Sequence, residues 1–243
     1  MRLHAPVFLA FLLYGSIAST VIRAKPNVVI FFTDDQGTLD AGCYGAPYLK
    51  TPNIDQLAET GVRFTQAYAH TVCCPSRAMM MTGRHPQRGG VNHWTQGNMN
   101  TPKGRNMALE ELTMAEVLKR EGYRTALFGK WHLGAHQDHG PKKQGFDEFF
   151  GIRNGFIDNF NHHFLHQTGY HDLYEGTTPL KADGKFFPEL MTHRALRFIE
   201  ESKDKPFFLY VPFNIPHYPE QAPKKFAEPF NDIKDEATRS YAT

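Results

Sequence analysis

Lys25-Pro26-Asn27-Val28-Val29-Ile30-Phe31-Phe32-Thr33-Asp34-Asp35 is a continuous apolar run that ends on two carboxylates, and its reading decides the fold. Apolar runs without alternation suit strands buried on both faces, as in parallel sheets. Downstream, Thr51-Pro52 opens a helix that Gly61 closes, with Thr as N-cap, Pro in the first turn and Gly past the end. A strand through Val62–Ala69 is expected next. Thr113-Met114-Ala115-Glu116 forms a capping box, and its helix ends near Gly122. Tyr123–Phe128 reads as a strand running into Gly129-Lys130-Trp131-His132. Pro188–Ser202 reads as an amphipathic helix and Pro206–Pro212 as a further strand. Strands and helices alternating at this spacing predict an α/β fold: a mostly parallel central sheet with helices on both faces.

In open α/β sheets, ligands bind beyond the C-terminal ends of the strands. Asp34 and Asp35, Lys130 and His132, and His217 each fall just past the end of an expected strand. Three polar clusters remote in sequence are therefore expected to meet in one cleft.

The 243 residues are 41% hydrophobic and 21% charged, which excludes a disordered or fibrous chain. A net charge of +2, with its basic residues scattered, gives no electrostatic case for nucleic acid. The first residues stand apart: Arg2 and His4 precede the apolar run Val7–Tyr14, and small residues follow. That order reads as a signal peptide over residues 1–24, cut after Ala18 or Ala24, leaving 25–243 as the mature domain. The run is too short for a stable membrane anchor, so the protein is expected to be exported, periplasmic or extracellular. Cys43, Cys73 and Cys74 are too few for a disulfide framework. A bridge between adjacent cysteines is strained, because their Cα atoms are about 3.8 Å apart and disulfides want roughly 4.4–6.8 Å.

The chemistry centres on Cys73-Cys74-Pro75-Ser76-Arg77, followed by Thr82-Gly83-Arg84. Pro75 suits the first turn of a helix, so Cys73 would lie at an N-terminus whose free N–H groups favour an anion. Arg77 adds a charge-assisted contact. Spacing alone leaves Cys73 open as a structural cysteine beside a helix cap.

The pattern Cys-x-Pro-Ser-Arg-x-x-x-x-Thr-Gly resembles the signature of the type I sulfatases, of the alkaline phosphatase superfamily. Asn27–Gly37 with Gly42–Gly45, Gly129–Gly134 and Phe213–His217 resemble further segments of that family, in order. The resemblance selects Cys73 over Cys74, since Pro75 and Arg77 stand at the family's offsets from it. It implies an alkaline phosphatase-like fold and hydrolysis of sulfate esters, of sulfated carbohydrates or aryl sulfates. It implies that a maturation enzyme oxidises Cys73 to formylglycine, whose hydrate attacks sulfur. Asp34, Asp35 and residue 73 are the implied ligands of a hard divalent cation, Ca²⁺ ahead of Mg²⁺. Arg77 and Lys130 offset sulfate charge, His217 serves the leaving oxygen and His132 takes a proton from the hydrate. Alternatives are a phosphonate or phosphodiester hydrolase of the same superfamily, or a non-catalytic remnant binding sulfated glycans. The family's downstream Asp-Asn or Asp-Gln metal pair and a further Lys have no counterpart before Thr243, which reads as a C-terminally incomplete domain. The family often has a Ser or polar residue where Arg153-Asn154-Gly155 stands. The stretch holding His162, His163, His166 and His171 is compatible with a second metal site, a pocket-lining loop or a surface loop, and no chemistry is assigned to it.

Overall fold

The computed structural model describes residues 24–94, 99–165 and 169–234. The expected signal peptide and His166 lie outside these, except for Ala24. Strand β1 (Val28–Asp34) is followed by helices α1 (Pro52–Thr60), α2 (Cys73–Thr82) and α3 (Met114–Arg120). Strands β2 (Arg124–Lys130) and β3 (Glu148–Ile152) follow, then the short pair β4 (Tyr174–Glu175) and β5 (Thr178–Pro179). Helix α4 (Phe187–Glu201), strand β6 (Phe207–Pro216) and the single turn α5 (Lys224–Ala227) complete the order.

The sheet runs β1-β6-β2-β3-β4-β5. Its first four strands are parallel, and β3, β4 and β5 pair antiparallel. The period of two sends alternate side chains to opposite faces. Leu127, Phe149, Phe208 and Tyr210 meet Cys74, Ala78 and Met81 of α2 and Ala115 of α3 on one face. Ala126, Phe128, Phe150, Phe207 and Leu209 meet Phe187, Met191, Ala195 and Phe198 of α4 on the other. Helices thus cover both faces, as expected, and each fully buried aromatic or leucine contributes roughly 1.5–3 kcal/mol.

Local signals hold where their partners are near. The capping box is formed, with Thr113 Oγ1 accepting from Glu116 N–H and Glu116 accepting from Thr113 N–H. Thr51 precedes α1 but does not cap it. Its hydroxyl accepts from Gly42 N–H at 2.8 Å and donates to Asp55 at 3.0 Å, tying the helix to the turn after β1.

Three expectations need correction. Strand β1 is not buried on both faces: Val29 is 39% and Phe31 66% exposed, because β1 borders the described sheet with one face uncovered. No strand forms over residues 62–69, where Val62, Phe64 and Tyr68 are mostly exposed. Val62, Phe64 and Tyr68 share one side of an extended chain, but no neighbouring strand supplies a ladder. Strand β6 extends past Pro212 to Pro216, which carries it to the edge of the polar cleft. Strand β3 was not anticipated as a strand. At Gly129 (φ 145°) and Gly151 (φ 147°) a Cβ would lie 2.0 Å from Pro212 O and 1.9 Å from Gly129 O. Only glycine lets β6, β2 and β3 approach this closely at their C-terminal ends.

Candidate active site at the C-terminal strand ends

The parallel register brings the ends of β1, β6 and β2 side by side, with Asp34 opposite Pro216. Asp34 closes β1, Lys130 closes β2, and His217 follows β6 directly, its N–H donating to the Asp34 carbonyl at 3.2 Å. Cys73 is the first residue of α2, and its Sγ lies 3.2 Å from His132 Nδ1. The residues singled out in the sequence therefore converge on one place.

Asp34 is its electrostatic hub. Arg77 Nη2 lies 3.3 Å from Oδ1, and Lys130 Nζ donates to Oδ2, all three side chains being almost fully buried. Burial works against the Asp34 carboxylate, but Lys130 and Arg77 outweigh it and hold its pKa below the ordinary value. Neighbouring Asp35 goes the other way, its pKa raised by burial and by the charge of Asp34.

Arg77 is anchored among the strand ends. Besides Asp34 it donates to the carbonyls of Lys130 at 3.1 Å and Phe213 at 3.0 Å, and its guanidinium lies 5.4 Å from the Phe32 ring. One side chain on α2 thus braces three strand ends.

Cys73 is poised as an anion. Its pKa is well below the ordinary thiol value, chiefly through a hydrogen bond with Cys74, with His132 and Lys130 adding to the effect. Burial keeps the His132 imidazole below its ordinary pKa, against the opposing pull of Cys73. The turn that presents Cys73 is strained: Val72 has φ 57°, an outlier for a β-branched residue. The Ser76 hydroxyl bridges that turn, within hydrogen-bond reach of the carbonyls of Val72 at 2.9 Å and His70 at 2.8 Å. Asp35 (φ 60°) and His132 (φ 55°) are also left-handed, so strain clusters around this site.

On the far side, His217 Nδ1–H donates to the Tyr218 carbonyl at 2.8 Å. Nε2 then faces Asp35 Oδ2 at 3.6 Å, and the ring stacks on Phe156, centroids 4.9 Å apart. The paired oxygens of Asp34 and Asp35 match a hard cation in kind. Both carboxylates also feel the charge of Cys73, the third expected ligand.

Sequence reasoning missed Ser76 as a brace and Phe156 as the platform for His217. It also missed Gly155, where a Cβ would lie 2.7 Å from His132 Cε1. Arg153 turns away from the site, its guanidinium 3.8 Å from the Tyr174 ring. Gly155 and Phe156 follow Phe149-Phe150-Gly151-Ile152 closely in sequence, but their contacts depend on where β3 ends beside β2.

The sequence model of the Sulfatase family matches residues 26–243. Arylsulfatase A of Homo sapiens is 36% identical over 91% of this chain and 48% of its own length. The crystal structure of Ps i-CgsB in complex with k-i-k-neocarrahexaose superposes with a TM-score of 0.80 at 31% identity, over 90% of this chain and 51% of that one. The structure of BT4656 in complex with its substrate D-glucosamine-2-N,6-O-disulfate gives 0.68 at 28% identity, over 87% of this chain and 39% of that one. The chain therefore spans about half, or less, of the relatives it matches. Matched by the family model across nearly all its length, and carrying its motif residues into one cleft, the chain belongs to the sulfatase family.

Proposed function

We propose that this chain carries the nucleophile side of a site that hydrolyses sulfate esters, with a sulfated carbohydrate or aryl sulfate as substrate. The observation that carries the reading is the setting of Cys73. It sits at the N-terminus of α2, 3.2 Å from the ring nitrogen of a buried histidine, beside the Asp34–Lys130–Arg77 cluster. The structure solved with a disulfated glucosamine supports a sulfated sugar as the substrate class.

Oxidised to formylglycine by a maturation enzyme, residue 73 supplies a hydrated aldehyde, an oxygen nucleophile that is regenerated each cycle. Asp34 and Asp35 would hold the divalent cation, Ca²⁺ by preference, which supplies Lewis-acid stabilisation of the sulfate oxygens. The remaining roles belong to the protein. The N-terminus of α2 and the Lys130 ammonium favour the anionic ester. His132 is placed to take a proton from a hydroxyl on residue 73, since its Nδ1 lies within hydrogen-bond reach of the atom that hydroxyl replaces. His217, held by Tyr218 through Nδ1–H and stacked on Phe156, presents Nε2 to the cleft, where its imidazolium form would give a proton to the leaving oxygen. Arg77 positions: it fixes the strand ends from which Asp34 and Lys130 project.

Export, with residues 1–24 as leader, accompanies this reading. No helix among the described residues is long and apolar enough to cross a membrane.

The test is coexpression with a formylglycine-generating enzyme, followed by mass spectrometry of the peptide holding residue 73 and assays with nitrophenyl sulfate and a phosphonate monoester. Conversion of Cys73 and faster sulfate turnover are expected. Unconverted Cys73 in every molecule overturns the reading, and preference for the phosphonate moves the site to the alternative activity.

A further inference from the structure

The histidine-rich loop after β3 carries side chains that the strand-end chemistry does not use, and they are placed as a ligand set. His162 is fully buried, and its Nε2–H donates to the Lys185 carbonyl at 3.0 Å. That bond settles the tautomer and leaves Nδ1 with a lone pair. Nδ1 is itself out of solvent and has no hydrogen-bond partner among the described residues. The same holds for both ring nitrogens of His171. An unmet buried polar atom costs about 1–3 kcal/mol, and here three such atoms gather from two facing rings, centroids 6.2 Å apart and nearly perpendicular. The carboxylate of Asp183 completes the group, with one ligand atom from each residue lying within 4.8 Å of the others.

We propose that His162, His171 and Asp183 form a second metal site, separate from the strand-end cleft, for a borderline divalent cation of the zinc type. Two imidazoles and a carboxylate are a donor set that suits zinc. A histidine whose other ring nitrogen donates to a backbone carbonyl is the usual arrangement for a metal ligand. Tetrahedral zinc asks for ligand atoms roughly 3.3 Å apart, a contraction that the exposed Asp183 can supply by rotating.

The backbone already holds the two histidines in place. Asp172 N–H donates to the His162 carbonyl at 2.9 Å, His162 N–H to Asp158 at 2.9 Å, and His163 and His171 form an antiparallel bridge. His162 sits at φ 61°, a conformation that needs surrounding support. The charged and titratable groups facing the rings are Asp183, Asp158, His163 and Lys181, and burial keeps both imidazoles below their ordinary pKa, that of His171 at about 4. A bound ion would clamp the loop to the start of α4, near where His162 meets Phe187 edge-on.

The experiment titrates zinc chloride calorimetrically into the full chain carrying Cys73→Ser and Cys74→Ser, which removes the competing Cys73–Cys74–His132 cluster. One equivalent is expected to bind and to raise the melting temperature. Adding His171→Ala or, at the exposed position, Asp183→Asn is expected to weaken binding at least about tenfold. No binding in the serine background overturns the site, as does unchanged affinity in Asp183→Asn. Because the readout is metal affinity in a protein without Cys73, failure here leaves the sulfatase reading untouched, and the reverse also holds.

Discussion

Arg77 and Asp34 meet at 3.3 Å with their side chains 1% and 4% exposed, and the same guanidinium bonds the carbonyls that end β2 and run along β6. A buried pair of this kind contributes modestly while intact and costs heavily when one partner is removed. Arg77→Ala leaves Asp34 with Lys130 alone and opens a void among three strand ends. A loss of about 3–5 kcal/mol is expected by urea unfolding. A midpoint within 0.5 kcal/mol of wild type, on the scale of an ordinary surface change, would sink the brace.

Ser76 is expected to matter for the presentation of Cys73 rather than for the helix itself. Ser76→Ala removes the hydroxyl bridging the carbonyls of His70 and Val72, so the left-handed Val72 is free to relax. The loss should be about 1–2 kcal/mol, together with slower alkylation of Cys73 by iodoacetamide at pH 7. Unchanged alkylation kinetics would show that the turn is held by other means.

Gly155→Ala is a probe of His132. The added methyl meets the imidazole at 2.7 Å, closer than real Cβ contacts come, and the ring must shift. A displacement on the ångström scale is worth about 100-fold in turnover, expected in kcat rather than KM for the matured enzyme. Wild-type kcat would mean that the ring is not where the reaction needs it.

Asp147 sets a stability prediction at acid pH. Burial disfavours its carboxylate, but Lys119 at 2.6 Å and the Thr125 N–H at 3.1 Å outweigh this and lower its pKa from 3.8. A carboxylate with a depressed folded-state pKa stabilises at every pH above its unfolded value and loses that contribution as pH falls through the folded one. The difference in melting temperature between wild type and Asp147→Asn should therefore be largest at pH 5–7 and shrink below pH 3.8. A difference that grows on acidification contradicts the sign.

Legibility followed distance along the chain. The capping box at Thr113 and Glu116, the helix after Pro52 and the α4 amphipathic run are read within a few residues and appear as read. The stretch 62–69 puts Val62, Phe64 and Tyr68 on one side of an extended chain and forms no strand, because a strand depends on a partner that composition cannot name. The contacts of Gly155, Phe156 and Ser76 are not legible for the same reason, since each acts through a neighbour supplied by another element.

From its residues alone this chain determined an alternating strand–helix order, a two-faced sheet and the Cys73-Cys74-Pro75-Ser76-Arg77 motif. These rest on period, caps and local spacing, which travel with the sequence. Only the tertiary structure decided that Arg77 turns into the strand ends, that β1 keeps an open face and that His162 Nδ1 and the His171 ring come together. Those are contacts between segments far apart in the chain, set by strand register and by which groups burial strips of water.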